Sequence, residues 1–141
     1  MILYLGTSAL VKLYLEEPYS DIVRSWIKEY EIIATCRIAY TEMISALEKR
    51  FRMHDLSKSD YEMVLKKFAQ DWPDFAIIDF DEREAAVFVK KYGLKHFDSI
   101  HLSAAKLIQR ERKDISLAFS SADESLCRAA AAEGLKVLSF L

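Results

Sequence analysis

Residues 2–5 of this chain, Ile-Leu-Tyr-Leu, form a short apolar run that ends on Gly6 and passes at once into Thr7-Ser8-Ala9-Leu10-Val11-Lys12-Leu13-Tyr14-Leu15. A run so brief and so uniformly apolar reads as a strand buried on both faces, the pattern of a central strand in a parallel sheet. The residues after it put Leu10, Leu13 and Tyr14 on one helical stripe, with Thr7 as the expected cap. A strand that turns directly into a helix leaves that turn at its carboxyl end, where open α/β sheets place their ligands. The residue at the turn, Gly6, is therefore where function is first looked for.

The same alternation continues to the end of the chain. Short apolar runs at 31–34, 76–79, 115–119 and 136–138 predict four more strands. Between them, apolar residues recur at helical spacing over 22–30, 37–53, 57–72, 82–92, 97–112 and 123–133. The inward positions are Ala39, Met43, Ala46, Leu47 and Arg50 on one helix, and Phe97, Ile100, Ala104, Leu107 and Ile108 on another. Pro73 and Gly93 punctuate helix ends, and Ser121-Ala-Asp-Glu124 has the form of a capping box. Strands alternating with helices argue for parallel pairing with right-handed crossovers. The reading is an α/β fold: a single domain over 1–141, a five-stranded parallel sheet flanked by about seven helices.

Composition excludes several classes of function. No apolar run approaches the roughly 20 residues of a membrane span. The first strand begins right after Met1, which leaves no room for a leader and points to a cytoplasmic protein. Cys36 and Cys127 lack ligand spacing and read as buried free thiols. A net charge of −2 gives no global basic footprint, so any nucleic acid would be met by a local patch. Neither a GxGxxG nor a GK[ST] setting surrounds the three glycines, and no serine sits in a G-x-S-x-G elbow. His54, His96 and His101 lack metal-ligand spacing, and His101, one turn past Asp98, reads as a surface residue or a neighbour of a ligand.

Carboxylates in unusual places remain. Glu42 flanks the apolar stripe of its helix, Asp98 opens a helix of small apolar residues, and Asp123 follows the fourth strand. Singly, each has an ordinary explanation as a cap, a macrodipole partner or a helix-surface acid. Together they converge if the first and fourth strands are neighbours at the switch point of the sheet. Like charges gathered in a cleft call for a cation, and oxygen-only donors select Mg²⁺ or Mn²⁺. Such ions suit phosphodiester hydrolysis.

The opening Ile2–Tyr14 stretch, Thr41-Glu42 with Ser45-Ala46-Leu47, Phe97-Asp98-Ser99-Ile100-His101-Leu102-Ser103-Ala104-Ala105, and Phe119-Ser-Ser-Ala-Asp123 follow one another in a specific order and spacing. In that order they resemble the PIN-domain ribonucleases, particularly VapC-like toxins of toxin–antitoxin pairs, over essentially the whole length. The resemblance implies adjacent first and fourth strands and an acidic site that binds Mg²⁺ or Mn²⁺ and cuts RNA. It implies that Glu42, Asp98 and Asp123 are metal-site and catalytic carboxylates, with Ser121 as their polar neighbour. It further implies a homodimer and a small antitoxin that fills the groove, where Tyr14, Trp26 or Tyr30 would serve if they are not core residues. Lys12 and Arg37 are the expected RNA contacts, with Lys49, Arg50 and Lys95 as further cations, unless these residues only form solvated helix faces. The departure is Gly6, which stands where the family has an aspartate that ligates the metal. Gly6 reads either as a tight-turn residue or as the place of a lost aspartate, and the intact remainder of the motif favours the second. Two functions follow: a metal-dependent endoribonuclease weakened at position 6, or a non-catalytic module that binds antitoxin or RNA.

Overall fold

The computed structural model describes residues 1–140; Leu141, the last residue of the expected domain, lies outside the described residues. Five strands, β1 (Ile2–Leu5), β2 (Ile32–Cys36), β3 (Ala76–Ile78), β4 (Leu117–Ser120) and β5 (Lys136–Val137), pair in parallel in the order β3-β2-β1-β4-β5. Seven helices accompany them: α1 (Thr7–Leu10), α2 (Ser20–Glu29), α3 (Ala39–Arg52), α4 (Lys58–Asp71), α5 (Glu82–Tyr92), α6 (His96–Glu111) and α7 (Glu124–Ala132). A 3₁₀ turn over Val11–Leu13 extends α1, and a second over Trp72–Asp74 carries Pro73 out of α4.

Although β1 is buried on both faces, its side chains still alternate. Leu3 and Leu5 join Leu10, Val23, Met43, Leu47 and Phe68 in a core beneath α1–α4. Ile2 and Tyr4 join Phe88, Leu102, Ile108, Phe119 and Leu126 beneath α5–α7. The sheet is thus sandwiched between two helical layers, as period-two alternation requires of a strand covered twice. Tyr4 stacks on Phe119 of the neighbouring strand, with centroids 5.5 Å apart. Small residues on α6 (Ser99, Ser103, Ala104 and Ala105, all buried) let that helix lie close to the sheet.

Several local expectations shift. Gly6, not Thr7, occupies the N-cap position of α1, and Asp123, not Ser121, caps α7 by accepting from Leu126 N–H at 2.8 Å. Phe97, expected inward, is 46% exposed, and Ala46 and Arg50 are only partly covered. Arg50 is drawn to Glu17 by an ion pair at 3.1 Å. Tyr14, Trp26 and Tyr30 pack against the α1–α4 core, Tyr14 also donating to Asp71 at 2.8 Å, so they serve the interior. Cys36 is buried and Cys127 partly so, both as free thiols. Among the described residues no helix is long and apolar enough to cross a membrane.

A candidate acidic active site

The register between β1 and β4 sets Leu5 against Ser120, so the chain leaves both strands side by side, with Gly6 N–H bonded to the Ser120 carbonyl at 2.9 Å. Beyond those strand ends the two helical layers part, and a crevice of about 500 Å³ opens between them. Gly6, Glu42, Asp98, His101, Ser121 and Asp123 all line it. These residues come from the β1 turn, α3, α6 and the β4–α7 turn. The three sequence-predicted carboxylates, Ser121 and position 6 therefore share one hollow at the switch point of the sheet.

Each acid is held differently. Glu42 Oε1 accepts from Thr7 Oγ1 at 2.8 Å and lies 2.7 Å from His101 Nε2, while Oε2 accepts no hydrogen bond among the described residues. Burial works to raise its pKa, but the hydrogen bonds of His101 and Thr7 and the charges of His101 and His96 prevail and hold it below the usual range. An ionised carboxylate only accepts, so Nε2 carries the proton of that contact. On the other side of the ring, Nδ1 lies 2.6 Å from the Tyr4 hydroxyl. Burial, followed by repulsion from Cys36 and Glu42, pushes Tyr4 well above the ordinary phenol value, so it remains a hydroxyl. His101 is only 2% exposed, and it bridges the interior of the sheet to the acidic surface.

The Asp98 carboxylate accepts no hydrogen bond and makes no ion pair among the described residues. Burial, then the charge of Asp123, raise its pKa, with Glu42 adding and His101 and Lys95 opposing. Asp123 spends Oδ1 on the α7 cap. Ser121 Oγ accepts from Asp123 N–H at 3.1 Å and meets Ser8 Oγ at 3.0 Å, and Ser8 in turn accepts from Ala122 N–H at 2.9 Å. The two bonds to Ser8 pin the β4–α7 turn to the β1–α1 turn beside position 6.

Position 6 itself has room. Gly6 has φ −66° and ψ 160°, extended backbone that any residue adopts, so no turn requirement accounts for it. A Cβ built there would meet Ser121 Cβ and Oγ at 3.4 Å and the Ser120 carbonyl at 3.8 Å, ordinary van der Waals contacts. The wall of the crevice accepts a side chain at this point, beside the acids.

Residues 3–139 match the sequence pattern of the PIN domain. The chain belongs to the PIN-domain family. Ribonuclease VapC45 of Mycobacterium tuberculosis (strain CDC 1551 / Oshkosh) is 28% identical over 111 residues, 74% of each chain. The PIN fold is shared with PAE2754 from Pyrobaculum aerophilum, at TM-score 0.69 and 20% identity over 97% of this chain and 89% of that one. It is shared as well with a toxin-antitoxin complex from Klebsiella pneumoniae, at TM-score 0.67 and 15% identity over 99% and 98%.

For a hard cation, the donors of this PIN domain fit in kind and fall short in number. All are carboxylate oxygens. Yet among the described residues no three His, Cys, Asp or Glu side chains gather closely enough to hold a metal ion. Glu42 is drawn toward His101 and Thr7, Asp123 toward its cap, and position 6 offers no oxygen. The cationic residues also sort themselves. Lys12 is 7% exposed, paired with Glu17 at 3.3 Å and set over the Phe140 ring, so it brings no ammonium to the crevice. Arg37 pairs with Asp79 at 2.8 Å on the rim of an adjoining groove, and the Lys95 ammonium lines the crevice with no ion pair or hydrogen bond among the described residues.

Residue-by-residue reading of the sequence missed Thr7, Ser8 and the depth of His101. A signal existed for His101, since three residues after Asp98 it shares that helix face, beneath a strand whose only polar side-chain atom is the Tyr4 hydroxyl. Thr7 looked like a cap and Ser8 was given no role, because their partners lie 35 and 113 positions away.

Proposed function

We propose that this PIN domain, spanning 1–141, is a metal-dependent endoribonuclease, the toxin of a cytoplasmic toxin–antitoxin pair, weakened by glycine at position 6. The observation that carries the reading is the meeting of Glu42, Asp98 and Asp123 in one hollow at the β1 and β4 ends, with Asp98 unpartnered among like charges. Such an arrangement costs stability unless a cation compensates it. Likeness to a mycobacterial ribonuclease supports RNA as substrate, and likeness to the Klebsiella toxin-antitoxin complex supports an antitoxin partner. A homodimer comes from the family resemblance alone.

Mg²⁺ or Mn²⁺ would draw on oxygens of Asp98, Asp123 and Glu42, which line one hollow but need a further carboxylate at position 6 to close on the ion. When bound, that ion supplies Lewis-acid polarisation of a phosphodiester and a water of lowered pKa. The chain's own residues prepare the place. His101 and Thr7 keep Glu42 ionised and fix one of its oxygens, leaving the other free. Ser121 and Ser8 hold Asp123 beside position 6. Lys95 offers an unpaired ammonium to a phosphate entering the crevice.

A non-catalytic binding module is the second reading, favoured by the missing oxygen at Gly6 and the lack, among the described residues, of any three-residue ligand group. Cleavage of single-stranded RNA in Mg²⁺ or Mn²⁺ by the parent and by Gly6→Asp separates the two. The expected result is a nearly inert parent and a variant about a hundredfold faster or more, the scale of one preorganised electrostatic contact. A Gly6→Asp chain that folds, cuts no RNA and is harmless when expressed alone would leave the binding module.

A further inference from the structure

Phe97 lies in the first turn of α6 between Asp98 and His96, yet it belongs to neither core and leaves 46% of its surface in water. Its ring centroid lies 4.1 Å from that of His96, with the two planes inclined at 51°, so His96 supports the Phe97 ring from one side. Phe97 also lines two hollows at once. One is the acidic crevice, where Lys95 stands. The other is a groove lined by Arg37, Ile38, Thr41, Ser45, Ala46 and Lys49, which shares Glu42 and Phe97 with the crevice. A continuous track therefore runs from Lys95 past the acids and Phe97 to Lys49. Among the described residues neither ammonium has an ion pair or a hydrogen bond, and these two line the track.

We infer that Phe97, backed by His96, is a stacking platform for an unpaired RNA base next to the phosphate in the acidic crevice, with Lys95 and Lys49 holding the flanking phosphates. The inference rests on the nuclease reading and adds to it the residue that receives an unpaired base. A polyanion crossing an acidic hollow needs cations on both sides, and this track places unpaired ammonium groups there. An aromatic ring exposed among them gives a base a face to stack on, whatever the base. In a duplex both faces of each base are already stacked, so the platform selects single strands.

The test is equilibrium binding of a short RNA carrying 2-aminopurine, single-stranded or annealed to its complement, in metal-free buffer and again in Mg²⁺. The full-length parent, Phe97→Ala and Phe97→Trp are compared. The parent should bind the single strand and quench its fluorescence. Phe97→Ala should lose about fivefold to a hundredfold in affinity together with the quenching, and Phe97→Trp should keep both. Duplex affinity should not depend on residue 97. Equal single-strand binding by Phe97→Ala and parent overturns the platform while leaving the nuclease reading intact. So does a change in oligomeric mass of Phe97→Ala at unchanged RNA affinity, which would assign the face to a second copy. An equal loss for duplex and single strand also overturns it. A parent that binds neither RNA overturns the platform and the nuclease reading together.

Discussion

Asp98 stands half-buried among Asp123 and Glu42, its carboxylate accepting no hydrogen bond among the described residues, and burial plus their charges raise its pKa. The sign of the consequence for stability follows. The folded protein keeps this proton to higher pH than the unfolded chain, so stability falls as pH rises through the carboxylate range to the raised value. Above that value the penalty is complete. Asp98→Asn, which removes the charge and keeps the shape, should raise the Tm of the metal-free protein at about pH 7, and the gain should vanish near about pH 3. Thermal unfolding at the two pH values checks this; an Asn variant no more stable than the parent at neutral pH contradicts it. The identity of the acids was legible from their order along the chain. Their different states were not, because what distinguishes Glu42 from Asp98 is a histidine 59 positions away and the tyrosine behind it. Gly6 was legible as an oddity. Only its extended φ of −66° removes the turn explanation.

At the scale of elements, the site is an affair of helix starts. α1 begins at Gly6 with no capping side chain, α6 at Lys95 with none, and α7 at Asp123, whose Oδ1 takes up the Leu126 N–H. Asp123 thus serves the helix and the crevice at once, and the two roles are separable. Asp123→Ala should cost about 1 kcal/mol through loss of the cap, whereas Asp123→Asn keeps an acceptor and should stay close to the parent. Both should weaken divalent-cation binding, because both remove the charge. Denaturant unfolding read beside a metal titration checks the split; equal destabilisation by Asn and Ala would show that the cap is not what the aspartate contributes. The elements themselves were legible, since every expected strand and helix is present within a few residues. The caps were misplaced by one or two positions, at Thr7 and Ser121, because long-range partners claim those hydroxyls. Phe97 was assigned inward by periodicity, but in the first turn of α6 it borders the crevice and the adjoining groove and keeps 46% of its surface exposed.

For the molecule as a whole, strand order does most to create the site. With β1 at the centre, β2 on one side and β4 on the other, the crossovers run in opposite directions, and the crevice opens where they diverge. Alternation of short apolar runs with helical stripes announced the parallel sheet. The neighbouring of β1 and β4 came from resemblance to the family and not from periodicity, which carries no information on pairing partners. The same architecture gathers Glu42 from one helical layer and Asp98 from the other, so the acids meet only in the folded chain. The central claim is that this meeting makes a hard-cation site one ligand short at position 6. Calorimetric titration of Mn²⁺ into the parent, Gly6→Asp, and Gly6→Asp combined with Asp98→Asn tests it most directly. The expected result is weak binding by the parent, affinity higher by about tenfold or more with the restored carboxylate, and loss of that gain in the double variant. Equal Mn²⁺ affinity with glycine or aspartate at position 6 would contradict it.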